Sequence, residues 1–169
     1  MKLSNQYPSE SGFTLIEMLV TMVILSIGLL GLASLQANSL KNNHNAYLQS
    51  QAALMAYDMA NRMRANLEGV RDNQYNNISG IPADPGCITS GCSAEQLAKH
   101  DAREWNTALA QLLPSGAGTV DGNNSTFVIT VRWDELRNGA AGLGCNPAGA
   151  AGAAGAADLK CLAISVTIL

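Results

Sequence analysis

Glu17 is the one carboxylate in a stretch that is otherwise apolar or uncharged, and after it no charge appears until Lys41. It follows Gly12 by five residues, near the start of the run "GFTLIEMLVTMVILSIGLLGLASLQ". A carboxylate at the hydrocarbon edge costs a few kcal/mol and is rare unless something satisfies it. Solvation at headgroup level is one way to do so. A neighbouring cation is another. Cleavage after Gly12 would give Phe13 a free α-amino group, and such an amine on a neighbouring subunit can neutralise Glu17 within an apolar assembly.

Four cysteines are the second set of reactive side chains: Cys87, Cys92, Cys145 and Cys161. All lie after the apolar run, in an even number and in loop-rich sequence. That pattern suits disulfides in an oxidising compartment. The spacings C-x4-C and C-x15-C lack two close knuckles, which argues against a four-thiolate zinc site. Three pairings are open. Short loops close most easily, which favours Cys87–Cys92 and Cys145–Cys161.

The remaining titratable candidates point to no catalyst. His100 adjoins Asp101, but adjacent residues on a helix do not face each other. His44 lies in a polar stretch. Asp134 and Glu135 follow an alternating segment and read as a solvated turn rather than a calcium site. Nucleophile-elbow, phosphate-loop and zinc-protease motifs are absent from the sequence. No enzyme, cofactor or metal is expected. The net charge of −3 is spread along the chain without a basic block, so nothing points to nucleic acid. Only 14% of residues are charged, and there are two Phe and two Trp, so the core of the soluble part must be modest.

Residues 13–35 form the element that must carry Glu17. At ~1.5 Å per residue they reach across ~30 Å of hydrocarbon as a helix. Gly28 and Gly31 allow close helix packing there, although glycine is common in membrane helices anyway. The run is too long for a secretory signal peptide, and A-S-L at its end is a poor cleavage site. Lys2 alone precedes it, so charge does not fix orientation. The cysteines place the C-terminal part outside the cytoplasm.

The stretch "SGFTLIEMLVTMVILSIGLLGLASLQ" resembles the N-terminus of type IV pilins and of the related type II secretion pseudopilins. The shared features are a short polar leader, a glycine, Phe, Thr-Leu-Ile-Glu and about twenty apolar residues. The resemblance implies that a prepilin peptidase cuts after Gly12 and methylates Phe13, the new first residue. It also implies that Glu17 pairs with a neighbour's amine and sets register during assembly. Major pilins usually carry a proline in the second half of this helix. This chain has none there and looks closer to the PilV type of minor pilin, a pilus-modification or assembly-priming subunit. Implied partners are the prepilin peptidase, other minor pilins, the major pilin and the inner-membrane assembly machinery, in a hetero-oligomeric filament or tip complex. The implied location is the bacterial inner membrane with the C-terminal domain in the periplasm, then the cell-surface pilus. Two rivals are a minor pseudopilin of type II secretion and a signal-anchored periplasmic binding domain.

The expected organisation is a leader over 1–12, a transmembrane or filament-core half-helix over 13–35, an amphipathic half over 36–70, and a head over 71–169. In the amphipathic half, Leu40, Tyr47, Leu48, Leu54, Met55, Met59, Met63 and Leu67 recur at helical spacing, with Gly69 and Val70 as the end. The stretch 71–96, "RDNQYNNISGIPADPGCITSGCSAEQ", reads as loop up to the start of the next helix. Ser93 and Gln96 form a capping box for a second helix, with Leu97, Trp105, Leu109, Leu112 and Leu113 on one face and Pro114 as the stop. "STFVITVRW" and "CLAISVTIL" alternate as strands and are expected to pair antiparallel. Between them lies a Gly/Ala low-complexity loop containing Cys145. The fold class is therefore α+β: a long N-terminal helix packed on a small antiparallel sheet, as in the pilin fold, with an additional short helix.

Overall fold

The computed structural model describes residues 14–123, 125–140 and 159–168. Gly12, Phe13 and Cys145 fall outside these, as does most of the Gly/Ala loop. The chain divides into two units, Met1–Asn43 and His44–Leu169. Helix α1, Leu15–Ala65, runs through the boundary.

In the first unit the described residues form the first part of α1. Up to Leu35 it is apolar or uncharged on every side but for Glu17, and every described residue of the unit is exposed. A helix apolar on all sides has no stable place in water and belongs in a membrane or among other helices.

The second unit is an α+β head. Its helices are the remainder of α1, then α2 (Leu67–Arg71), α3 (Cys87–Ser90) and α4 (Ala94–Leu112). Four strands make one sheet among the described residues: β1 (Asn77–Ser79), β2 (Ala117–Asn123), β3 (Thr126–Trp133) and β4 (Lys160–Thr167). Spatial order follows sequence order, and all neighbours are antiparallel. Only β2 and β3 are joined by a short turn; α3 and α4 intervene between β1 and β2.

The core lies between the sheet and two helices. Leu48, Ala52, Ala56, Met59, Ala60 and Met63 form the buried stripe of α1. The sheet answers with Phe127, Ile129, Val131 and Trp133, the alternate residues of β3. In register with three of these stand Val166, Ile164 and Leu162 of β4, packed on the same core. The expected antiparallel pairing of these two segments is thus present. Trp105 of α4 is fully buried and donates its indole N–H to the Met55 carbonyl of α1 at 2.8 Å, so its polar end is satisfied. The Ser93–Gln96 capping box also forms, with Ser93 Oγ accepting from the Gln96 amide and Gln96 Oε1 accepting from the Ser93 amide.

Several expectations need correction. The long helix does not continue to residue 70. It ends at Ala65, where Asn66 leaves helical geometry and caps α2 by accepting from Gly69 N. Leu40, Tyr47 and Leu54 are exposed, and small residues take their share of the buried stripe: Ala52, Ala56 and Ala60 let sheet and helix approach closely. Leu112 of α4 is also exposed, whereas Leu113 is buried. The stretch 71–92 contains β1 and α3, and β2 was not anticipated at all.

Candidate functional site: the acidic start of the apolar helix

Glu17 lies in the first turn of α1. Its amide donates to the Thr14 carbonyl at 3.0 Å, and Met18 N reaches the same oxygen at 3.3 Å. The turn therefore closes on Thr14. A carboxylate in a first turn sits at the positive end of the helix dipole, a placement worth about 0.3–1 kcal/mol near a surface. Beyond it, the polar side chains of the segment look after themselves. Thr21 Oγ1 donates to the Met18 carbonyl at 2.9 Å and Ser26 Oγ to the Met22 carbonyl at 2.7 Å. Such back-bonding leaves neither of these two hydroxyl protons for hydrocarbon to meet unpaired. Glu17 is the one charged group of the segment, and no described neighbour supplies a cation to it in this chain. Gly28 and Gly31 have open space where a Cβ would stand, so they leave shallow notches in an otherwise bulky surface.

The helix passes the length and composition test for one membrane crossing. Taken alone that test is weak, because signal sequences also pass it. The combination of acid position, closed first turn and uninterrupted apolar helix is more specific.

In the head, the cysteine expectation is met for one pair. Cys87 and Cys92 are disulfide-bonded with Cα atoms 5.0 Å apart. The bridge ties α3 to the residue just before the α4 capping box. Cys161 is also disulfide-bonded, and Cys145, its expected partner, lies outside the described residues.

Sequence reading missed a buried polar cluster. Tyr75, fully buried, donates its hydroxyl to Asp101 Oδ2 at 2.5 Å. Asn66 Nδ2 donates to the Tyr75 oxygen at 3.1 Å and to the Ala94 carbonyl at 2.8 Å. Arg62 bridges Asp58 at 2.8 Å and Asp101 at 3.4 Å. Burial pushes the Tyr75 phenol well above its ordinary value, and the Asp101 carboxylate adds to the effect. For Arg62, burial works against the charge, but the two aspartates outweigh it and the guanidinium is held above its usual value. The cluster clamps the break at Asn66 to the start of α4. Nothing in it resembles a nucleophile with its base. His100 takes no part, and its Nδ1 is buried without a hydrogen-bond partner among the described residues. The sequence showed Asp101 only as the neighbour of His100, a pair set aside because adjacent helical residues do not face each other.

Asp134 is not the solvated turn residue expected. It is 3% exposed, its carboxylate accepts from Gly139 N at 2.9 Å, and its amide donates to the Pro114 carbonyl. Glu135 faces Lys160 at 3.5 Å. Both acids hold loop to sheet. Among the described residues no group of three or more His, Cys, Asp or Glu side chains is placed to hold a metal.

Comparison with known families decides what the first turn belongs to. Residues 8–33 match the prokaryotic N-terminal methylation motif, and residues 34–103 match the family of type IV pilin Tt1218. The two matches abut and together span more than half of the chain. Both matches support a type IV pilin. Type IV pilins are structural proteins and not enzymes. The pilin methylation motif implies processing by prepilin peptidase and assembly with other pilins, and the apolar helix fits membrane anchoring and incorporation in a pilus. No curated protein and no solved structure matches the chain significantly. The Tt1218 match takes in the Asn66 break, the Tyr75–Asp101 pair and the Cys87–Cys92 bridge of this pilin.

Proposed function

We propose that the chain is a minor pilin of a type IV pilus, closest to the PilV type, which primes or modifies the filament. It is made as a precursor with residues 1–12 as leader, anchored in the inner membrane with its head in the periplasm. Prepilin peptidase cuts after Gly12 and methylates Phe13. Glu17 then pairs with the α-amine of an adjacent subunit, which fixes register as the apolar helices gather. A second bridge, Cys145–Cys161, fastens the Gly/Ala loop to β4.

One observation carries this reading: a single acid in the first turn of a helix that is exposed and apolar on every side. Water does not tolerate that surface, and hydrocarbon does not tolerate that acid. Assembly with other subunits relieves both. The uninterrupted α1, without a proline, supports the minor over the major role.

A deletion strain, complemented with the wild-type chain, separates pilus from secretion machinery. The proposal expects surface pili to fall and to return on complementation, with secretion of folded substrates unchanged. Normal piliation with a secretion defect would overturn it in favour of the pseudopilin. A leader retained in a processing-competent host would favour the signal-anchored domain.

A further inference from the structure

We propose that the cleft between the open edge of β1 and α4 binds an extended peptide of a partner protein as a further strand, with an aliphatic and an acidic side chain turned towards α4. The inference goes beyond the assembly reading and stands without it.

The first observation is which backbone groups of β1 are open. β1 lies at the edge of the described sheet, and its one strand neighbour there is β2. The Asn76 carbonyl accepts from Gly122 N at 2.9 Å, one step before the register Asn77↔Asp121, Ile78↔Val120 and Ser79↔Thr119. Bonded and unbonded pairs alternate along an antiparallel ladder. The amide and carbonyl of Ile78 therefore turn to Val120, and those of Asn77 and Ser79 turn away from the sheet. Among the described residues nothing takes them up. Two donors and two acceptors, two residues apart, are the pattern with which an extended chain pairs.

The second observation is what lies in front of that edge. A cleft of about 190 Å³ is lined by Asn77, Ile78 and Ser79 on one side and by Ala98 and Ala102 of α4 on the other. Ile78, Ala98 and Ala102 are buried, so the floor is apolar, and the alanine methyls leave it room. Strand alternation sends the Asn77 and Ser79 side chains to the face away from Ile78, so these two residues give the cleft their main chain. The volume is below the roughly 300 Å³ at which sites for drug-sized ligands begin. It suits a single side chain rather than a cofactor.

The third observation is charge. Lys99 is the one charged residue lining the cleft. It bonds Glu95 at 2.7 Å, but both side chains are 55% exposed, and a surface pair of that kind holds loosely. Lys99 is thus open to a second carboxylate. Residues i and i+2 of a strand share a face. A peptide that seats an aliphatic side chain on Ala98 and Ala102 brings its next residue on that face to the neighbouring Lys99, and an acid there completes the match.

The test uses the full chain in detergent micelles and the peptide acetyl-Thr-Val-Thr-Glu-Thr-amide as probe, with amide hydrogen exchange read by NMR. The proposal expects saturable binding that slows exchange at Asn77 and Ser79 and leaves Ile78, already paired, unchanged. The N-methylated peptide, with the same side chains and no main-chain donors, should not bind. Ser79→Pro removes an amide that β2 does not use. It should weaken binding by about tenfold, the scale of one lost hydrogen bond, with the head's melting temperature unchanged. Replacing the probe's Glu by Lys should weaken binding by a similar factor. Unchanged exchange at Asn77 and Ser79 with millimolar peptide, equal binding of the N-methylated form, or full binding to Ser79→Pro would overturn the proposal. Slowing at both residues in the chain alone, rising with its concentration, would make the occupant a second copy and overturn the partner assignment. Each readout is independent of piliation.

Discussion

Residues 15–35 and 48–63 belong to one helix, yet they solve opposite problems. The first stretch buries nothing in this chain and carries Leu, Ile, Met and Val on every side. The second buries one stripe, and half of that stripe is alanine. The first is shaped for partners that are absent from the monomer. The second is shaped for a sheet that is part of the same chain. Helicity alone therefore says little about role. What distinguishes the stretches is whether the apolar surface finds its cover within the chain. Glu17 is the one charge of the first stretch, and the Trp105–Met55 hydrogen bond marks the second as core.

Breaking the first stretch should be the largest effect on function and the smallest on folding. Glu17→Ala should leave membrane insertion and head stability intact while lowering assembled subunit by tenfold or more, read by immunoblot of sheared pili against membranes; a few kcal/mol of lost pairing gives that scale. Normal assembly of this variant would refute the pairing. Breaking the second stretch should do the reverse. Trp105→Ala should cost about 3–5 kcal/mol in denaturant unfolding of the head, because the indole is fully buried and roofs Gly118 of β2.

A smaller loss sharpens the picture of what pins the head. Cys87→Ser should lower stability by about 2 kcal/mol, the figure for a short closed loop, seen as a lower midpoint for the variant than for the oxidised parent. An unchanged midpoint would mean that α3 does not contribute to the cooperative unit. Smaller still is Tyr75→Phe, at about 1–2 kcal/mol, because Asp101 keeps Arg62. Its pH dependence gives a sharper signature. Tyr75 is raised above its unfolded value of 10.0, so its contribution is fully present below pH 10 and is lost as the pH climbs beyond it. The parent should therefore lose stability above pH 10 more steeply than Tyr75→Phe. Parallel curves would contradict the buried Tyr75–Asp101 bond.

Legibility followed the size and periodicity of side chains. The apolar helix, the Ser93 capping box, the alternation of β3 and β4 and the local Cys87–Cys92 pairing were all readable, because each is a repeat or a short-range motif. β2 was not. Its core-facing positions are Gly118, Val120 and Gly122, and a Cβ at either glycine would run into Trp105 or Phe127. The large side chains that cover the strand are on other elements, so "AGTVDGN" reads as a turn. The break at Asn66 was hidden for a similar reason. The groups that stabilise it, Tyr75 and Ala94, arrive from distant sequence. In the candidate site, Glu17 and the apolar span were plain from the chain alone.

The most direct test of the account is intact-mass and N-terminal analysis of the chain purified from membranes of a processing-competent host, before and after reduction. The account predicts a start at methylated Phe13 and a mass gain of four hydrogens on reduction, for two disulfides. A start at Met1 in such a host would contradict it.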